Sequence, residues 1–345
     1  MTVTVVGAGT FGGWTALTLL RSGCRVTLVD WWGPGNSRSS SGDETRVIRG
    51  AYGPNAVYTR MVAESVASWM EIGMLKAVGS LWMAPESGDA WERASAENIA
   101  ACGLHCDQLG LDELRRRWPE VNWTGIAWAL FEPELGYLQA RRACQEVVRR
   151  FVAEGGVYLQ QSATPDSDAT VLACGPWLKG MVTPTRQEVF YFGTPPGIHR
   201  FPAWVDNTPP RHYGIPDHDG RGFKVAMDVP GLQFDPTSGD RTPTAAAIAE
   251  ARDYLAFRFP ALRDAPLLES RVCQYEMSDD GHLIMGRDPG RDNTWVAGGG
   301  SGHGFKLSPA VGAHMADLVL GKTGERPEFS PARLAGISVR NWERR

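Results

Sequence analysis

Three glycines, Gly7, Gly9 and Gly12, stand in the run Gly7-Ala8-Gly9-Thr10-Phe11-Gly12. At this spacing the first glycine permits a tight turn, the second lets the backbone approach a pyrophosphate, and the third lets a helix pack on a strand. Asp30 follows about 20 residues later, where a carboxylate accepts from ribose hydroxyls and disfavours a ribose 2′-phosphate. A second glycine run, Gly298-Gly299-Gly300-Ser301-Gly302-His303-Gly304, lies near the other end. Between them Arg46 and Arg49 stand three apart, and would face one way if that stretch were helical. A solvated surface charge is the plain alternative for either arginine.

These residues need elements to position them. The β-branched run Thr2–Val6 reads as a buried strand, about Gly13 to Leu20 as an apolar helix, and Arg25–Val29 as a strand ending on Asp30. Strand, glycine turn, helix, strand and acid within about 30 residues make the motif specific for a dinucleotide, with the helix N-terminus supplying N–H donors. Trp31 to Gly53 is too polar for core and reads as a loop beside whatever the nucleotide carries. Helices are expected over Tyr58–Met74, Asp112–Trp118, Ala140–Ala153 and Ala245–Phe257, and a strand over Thr170–Cys174 that returns to the nucleotide sheet. Residues Pro184–Pro266 hold 12 prolines and several aromatics, and read as antiparallel strands of a second domain. A strand Asn293–Ala297 and a helix Leu307–Leu320 flank the second glycine loop, so one sheet is expected to be closed by both termini. A simple NAD dehydrogenase has no need of that second element. A flavin protein does, because its ring must be gripped far from the adenine.

The bulk properties agree. The 345 residues suit two domains, and 43% apolar with 21% charged residues is ordinary for a globular chain. A formal net charge of −4 argues against nucleic acid or an anionic membrane as partner. The chain opens directly on strand and turn, with no secretory signal, and no run of 18 apolar residues spans a membrane. Six cysteines are not a disulfide framework here, and Cys102 and Cys106 lack the further ligands of a zinc site, so no metal is expected. A reduced cytoplasmic protein is the expectation.

The runs GAGTFG, GDETRVIRGAYG, FEPELGYL, GFK, RVCQYE and GSGHGFK occur in that order. In this the chain resembles the D-amino-acid-oxidase-like FAD oxidoreductases, in the branch of monomeric sarcosine oxidase and N-methyltryptophan oxidase, from Val3 to about Lys322. The resemblance implies an α/β (α+β) fold: a Rossmann-like FAD domain of the glutathione-reductase type, over 1–75, 130–178 and 268–345, and an antiparallel-sheet substrate domain over 76–129 and 179–267. It implies FAD bound at Gly7, Gly9, Gly12, Asp30, Arg46, Gly302, His303, Gly304, Phe305 and Lys306, with a covalent link from Cys273 to the flavin. It implies that Arg49 and Lys306 clamp a substrate carboxylate, that Lys224 promotes reaction with oxygen, and that Tyr213 borders the substrate. The activity implied is oxidation of a secondary, cyclic or aromatic amino acid to an imine, with O2 giving hydrogen peroxide, by a monomer.

Three features depart from the pattern. Asp228 stands four after Lys224, where sarcosine oxidase has a histidine facing the substrate, which would favour a more basic or larger amine. The segment Gln160–Ala173 is short, where the family has an extra hairpin. Thirteen tryptophans leave room for a few to stack on an aromatic substrate. Competing readings are an FAD-dependent dehydrogenase or desaturase of a biosynthetic pathway, a NAD-dependent dehydrogenase, and a flavoprotein without catalysis.

Overall fold

Thr2–Val6 forms a strand whose Val3, Thr4 and Val5 are buried, as suits the middle of a parallel sheet. The structure, a computed structural model, describes residues 1–86, 89–196 and 198–334. A six-stranded sheet runs in space Ile284–Arg287, Thr294–Gly298, Ala169–Leu172, Thr2–Val6, Arg25–Asp30 and Val157–Gln160. All its pairings are parallel except that of the edge strand Ile284–Arg287. Strands from both ends of the chain therefore share one sheet, and the strand over Ala169–Leu172 does return to it.

Helix Thr10–Arg21 starts at the glycine turn itself, three residues before the expected Gly13. Tertiary packing overrides the weak helix propensity of Gly12 and Gly13. The helix packs on Ala140–Ala153 and Ser308–Val319, with the Trp14 backbone so close to Gly312 that a Cβ there would stand 2.7 Å from the Trp14 carbonyl carbon. The expected helix Leu307–Leu320 is a single tight turn, Phe305–Leu307, followed by Ser308–Val319 with a proline in its first turn.

An eight-stranded sheet runs Leu267–Met277, Thr183–Phe192, Phe223–Met227, His212–Ile215, Ala203–Asp206, Ser80–Pro85, Ile126–Glu132 and Asp107–Gly110. It is antiparallel but for Ala203–Asp206 beside Ser80–Pro85. A three-stranded sheet, Thr45–Ile48, Gly136–Gln139 and Leu75–Lys76, packs against the eight-stranded one. The segment Trp31–Gly53, expected as loop, thus contains a strand. Arg46 lies in that strand and Arg49 just beyond it, so no helix face holds the two, which corrects the helical pairing considered for them. Strand Leu267–Met277 hydrogen-bonds into the eight-stranded sheet. Of the expected segment 268–345, residues 335–345 lie outside the described ones. Among described residues no strand lies between Gln160 and Ala169, no helix is long and apolar enough to cross a membrane, and no group of three or more His, Cys, Asp or Glu could hold a metal.

Candidate active site

At the turn after the first strand Gly7 takes φ +106°, and a Cβ on it would lie 2.3 Å from the Ala173 carbonyl oxygen. A Cβ on Gly12 would lie 1.8 Å from the Gly7 oxygen, so the turn and helix meet backbone to backbone. The Asp30 carboxylate accepts from Ala8 N at 2.8 Å, and from Trp32 N at 2.8 Å and Gly33 N at 2.7 Å. It pins both the glycine turn and the turn that follows its own strand. Helix Thr10–Arg21 has no side-chain cap from Gly9 and no acid in its first turn; Thr10 N donates to Ser41 Oγ at 3.2 Å, and the positive dipole of this end suits an anion.

Gly7, Gly9, Asp30, Trp32, Ser41 and Trp177 line a cavity of about 320 Å³. A smaller cavity of about 60 Å³ continues it, with Thr10, Phe11, Ser40, Ser41 and Glu276 common to both walls. Arg46, Tyr275, Gly302, Gly304 and Phe305 line the smaller space. Cys273 faces Gln187 on the adjoining strand, and its Sγ accepts from Arg46 Nη2 at 3.6 Å. Its neighbours Gln274 and Tyr275 line the smaller cavity, whereas Cys273 itself is not among the lining residues.

A buried ion network sits behind this wall. Asp43 accepts from Lys224 Nζ, from Arg46 Nη1 at 2.7 Å and from Tyr191 Oη at 2.7 Å. Burial opposes its charge, but Lys224 and Arg46 outweigh that and hold its carboxyl well below the usual range. Lys224 also donates to the Thr45 carbonyl at 3.0 Å, and burial lowers its pKa against the pull of Asp43. The Tyr213 ring centroid lies 5.7 Å from Lys224 Nζ. Asp228 accepts from Tyr275 Oη at 3.0 Å and lies 3.4 Å from Arg211 Nη1.

A second buried cluster carries excess positive charge. Arg49 donates to the Ala51 carbonyl and stacks 4.4 Å from the Trp82 ring centroid and 4.8 Å from that of Tyr52. Lys306 donates to Tyr52 Oη at 3.1 Å and to the His303 carbonyl at 3.0 Å. Burial lowers the basicity of both, and the field of Arg49 lowers that of Lys306 further. Glu132 is the nearby acid; burial raises its pKa to about 7, against the Gly50 N–H that it accepts at 2.9 Å and the fields of Arg49 and Lys306. His303 is pushed down to about 3, by burial first and Lys306 second, so it is a neutral ring. Neither Arg49 nor Lys306 forms an ion pair among the described residues. Two buried basic side chains without an ion-paired carboxylate have donors that can receive an anion.

The profile of FAD dependent oxidoreductases matches residues 2–318. The chain belongs to that family. Monomeric sarcosine oxidase of Bacillus sp. (strain B-0618) is 28% identical over 362 residues, covering 93% of each chain. N-methyl-L-tryptophan oxidase of Salmonella newport (strain SL254) is 27% identical, covering 97% of this chain and 98% of the other. Among solved structures, L-proline dehydrogenase from P. horikoshii superposes with a TM-score of 0.84 at 20% identity, over 97% of both chains. A thermally stable mutant of fructosyl peptide oxidase gives 0.82 at 19%, over 96% and 93%. These superpositions show the shared fold.

The chain is thus an FAD-dependent oxidoreductase, and its residues fit the cofactor. The helix N-terminus and glycine turn suit a pyrophosphate, and Glu276, whose buried Oε2 has no partner, lines both cavities. The structure gathers Gly7, Gly9, Asp30, Arg46, Gly302, Gly304 and Phe305 around these cavities, and Arg49, His303 and Lys306 in the cationic cluster. Arg49, Tyr213, Lys224, Asp228 and Lys306 line neither cavity. Sequence reasoning missed Asp43, Tyr52, Glu132 and Glu276. All four lie inside the recognised runs GDETRVIRGAYG, FEPELGYL and RVCQYE, which is the one signal that marked them.

Proposed function

We propose that this enzyme oxidises the C–N bond of a secondary, cyclic or aromatic amino acid to an imine, passing the electrons to O2 and releasing hydrogen peroxide. The observation that carries the reading is the buried pair Arg49 and Lys306, cationic and without an anion. The guanidinium fork and the ammonium together receive the substrate carboxylate and set the α-carbon in place. Trp82 and Tyr52 hold the Arg49 plane, so the fork is oriented before substrate arrives. His303, neutral, adds no charge beside the clamp.

FAD, when bound, supplies the two-electron acceptor for this reaction. Gly7, Gly9, Gly12 and the helix N-terminus would hold its pyrophosphate, Asp30 its ribose, and Arg46 with Gly302–Lys306 its ring, with Cys273 as the point of covalent attachment. Lys224, fixed by Asp43 and Thr45, places a positive charge where reduction of O2 builds up negative charge. Tyr213 and Asp228 border the substrate, and Asp228 favours an amine that is basic. The nucleotide domain comprises 1–75, 130–178 and 268–345 and the substrate domain 76–129 and 179–267, in a monomer. The six cysteines, all unpaired, suit the reducing cytoplasm.

A dehydrogenase using another acceptor is the second reading, favoured by one observation: Asp43 neutralises much of the Lys224 charge. Peroxide counted against substrate consumed separates the two. One peroxide per imine supports the oxidase; turnover with an artificial acceptor but little peroxide in air supports the dehydrogenase.

A further inference from the structure

Glu276 sits on strand Leu267–Met277 with 7% of its surface exposed, in the wall shared by both cavities. Its Oε1 accepts from Gly300 N at 3.1 Å, while the buried Oε2 has no partner. A Cβ on Gly175 would lie 2.8 Å from Oε2 and one on Gly300 2.9 Å from Oε1, so both glycines leave the carboxyl the room it occupies. An unsatisfied buried polar oxygen is costly, and one carried by a residue in the wall of a ligand cavity can be satisfied by the ligand.

We propose that Glu276 binds the FAD cofactor as a neutral carboxylic acid, donating a hydrogen bond from Oε2 to an oxygen of the phosphate–ribityl span. This rests on the chain being an FAD-dependent enzyme. An ionised carboxylate in this wall offers no donor and repels the phosphates. The protonated acid keeps Oε1 for Gly300 and presents a donor to the cofactor. Burial supports it, raising the Glu276 pKa to about 7 against the Gly300 N–H. The groups facing it do not reverse this. The Cys174 thiol beside Gly175 is itself raised by burial, to about 11, and stays neutral. Asp30, across the larger cavity, is hydrogen-bonded to backbone N–H groups, and Arg46, in the smaller one, is held by Asp43. The nucleotide therefore binds with uptake of a proton at alkaline pH. Affinity is full below the Glu276 pKa and falls as pH rises through it.

The test uses the full chain carrying Cys273→Ser, which keeps FAD exchangeable, prepared without flavin. FAD affinity is measured by titration from about pH 6 to about pH 9, with and without Glu276→Gln. The dissociation constant is expected to rise about tenfold per pH unit above the Glu276 pKa, and Glu276→Gln, a neutral donor of the same shape, should remove that slope. Calorimetry at about pH 8 in buffers of different ionisation heat should count about one proton taken up per FAD by the protein with Glu276 intact; that count decides alone if Glu276→Gln does not fold. A flat profile without proton uptake, or the same slope in both proteins, overturns the role of Glu276 and leaves the cofactor assignment standing. Failure to bind FAD at any pH overturns both.

Discussion

The two ends of the site are built differently. At the nucleotide end backbone does the work: glycines meet carbonyls, and Asp30 is satisfied by three N–H groups within 25 residues of the turn. At the substrate end side chains do it. Arg49, Tyr52, Glu132, His303 and Lys306 come from segments far apart in sequence, and the fields of Arg49, Glu132 and Asp228 act together on Lys306. The first end is rigid and electrically quiet until the cofactor arrives; the second holds unpaired charge that substrate completes. Loss of function should accordingly be all-or-none at the first end and graded at the second.

The largest effect is expected behind the wall that joins them. Lys224→Met leaves Asp43 buried with Arg46 and, at 3.6 Å, Arg271 as its remaining cations, and should destabilise the protein by about 3 kcal/mol, near the lower end for a broken buried pair. Urea unfolding of the single variant and of Asp43→Asn/Lys224→Met measures it, the double variant recovering most of the loss. Gly12→Ala forces a methyl onto the Gly7 carbonyl and should cost about 1–3 kcal/mol while abolishing FAD retention. Retention of FAD by this variant would break the contrast between the ends. Arg49→Ala removes a charged hydrogen-bonding partner worth about 1.5–3 kcal/mol, so kcat/KM should fall roughly ten- to 150-fold with flavin content unchanged. The smallest effect is expected at Glu132. As pH rises through its pKa of about 7, its carboxylate competes with that of the substrate for Arg49 and Lys306. Substrate affinity should therefore weaken above about pH 7, and Glu132→Gln should flatten that slope while changing affinity at low pH by only about twofold.

The same contrast decided what could be read from the sequence. The glycine turn and Asp30 were legible because their chemistry is local. Helix Ala140–Ala153 was legible to the residue, since Ala143, Cys144, Val147, Val148 and Phe151 carry the helical period into the core. Strand Thr45–Ile48 was not: four residues in a polar stretch become a strand only by pairing with Gly136–Gln139, about 90 residues away. Asp43, Glu132 and Glu276 were invisible as buried acids, because an acid reads as surface until the fold supplies its cations or N–H groups. Arg49 and Lys306 were singled out by family resemblance; their spacing gives no sign that 257 residues of chain return Lys306 to the neighbourhood of Arg49.

The most direct measurement is the anaerobic loss of flavin absorbance on adding an N-methyl amino acid, compared with the same amine lacking its carboxylate. The clamp of Arg49 and Lys306 predicts bleaching by the acid at concentrations about tenfold or more below those needed for the amine, and convergence of the two in Arg49→Ala. Equal bleaching by both in the unaltered enzyme would contradict the carboxylate clamp and with it the assignment of an amino acid as substrate.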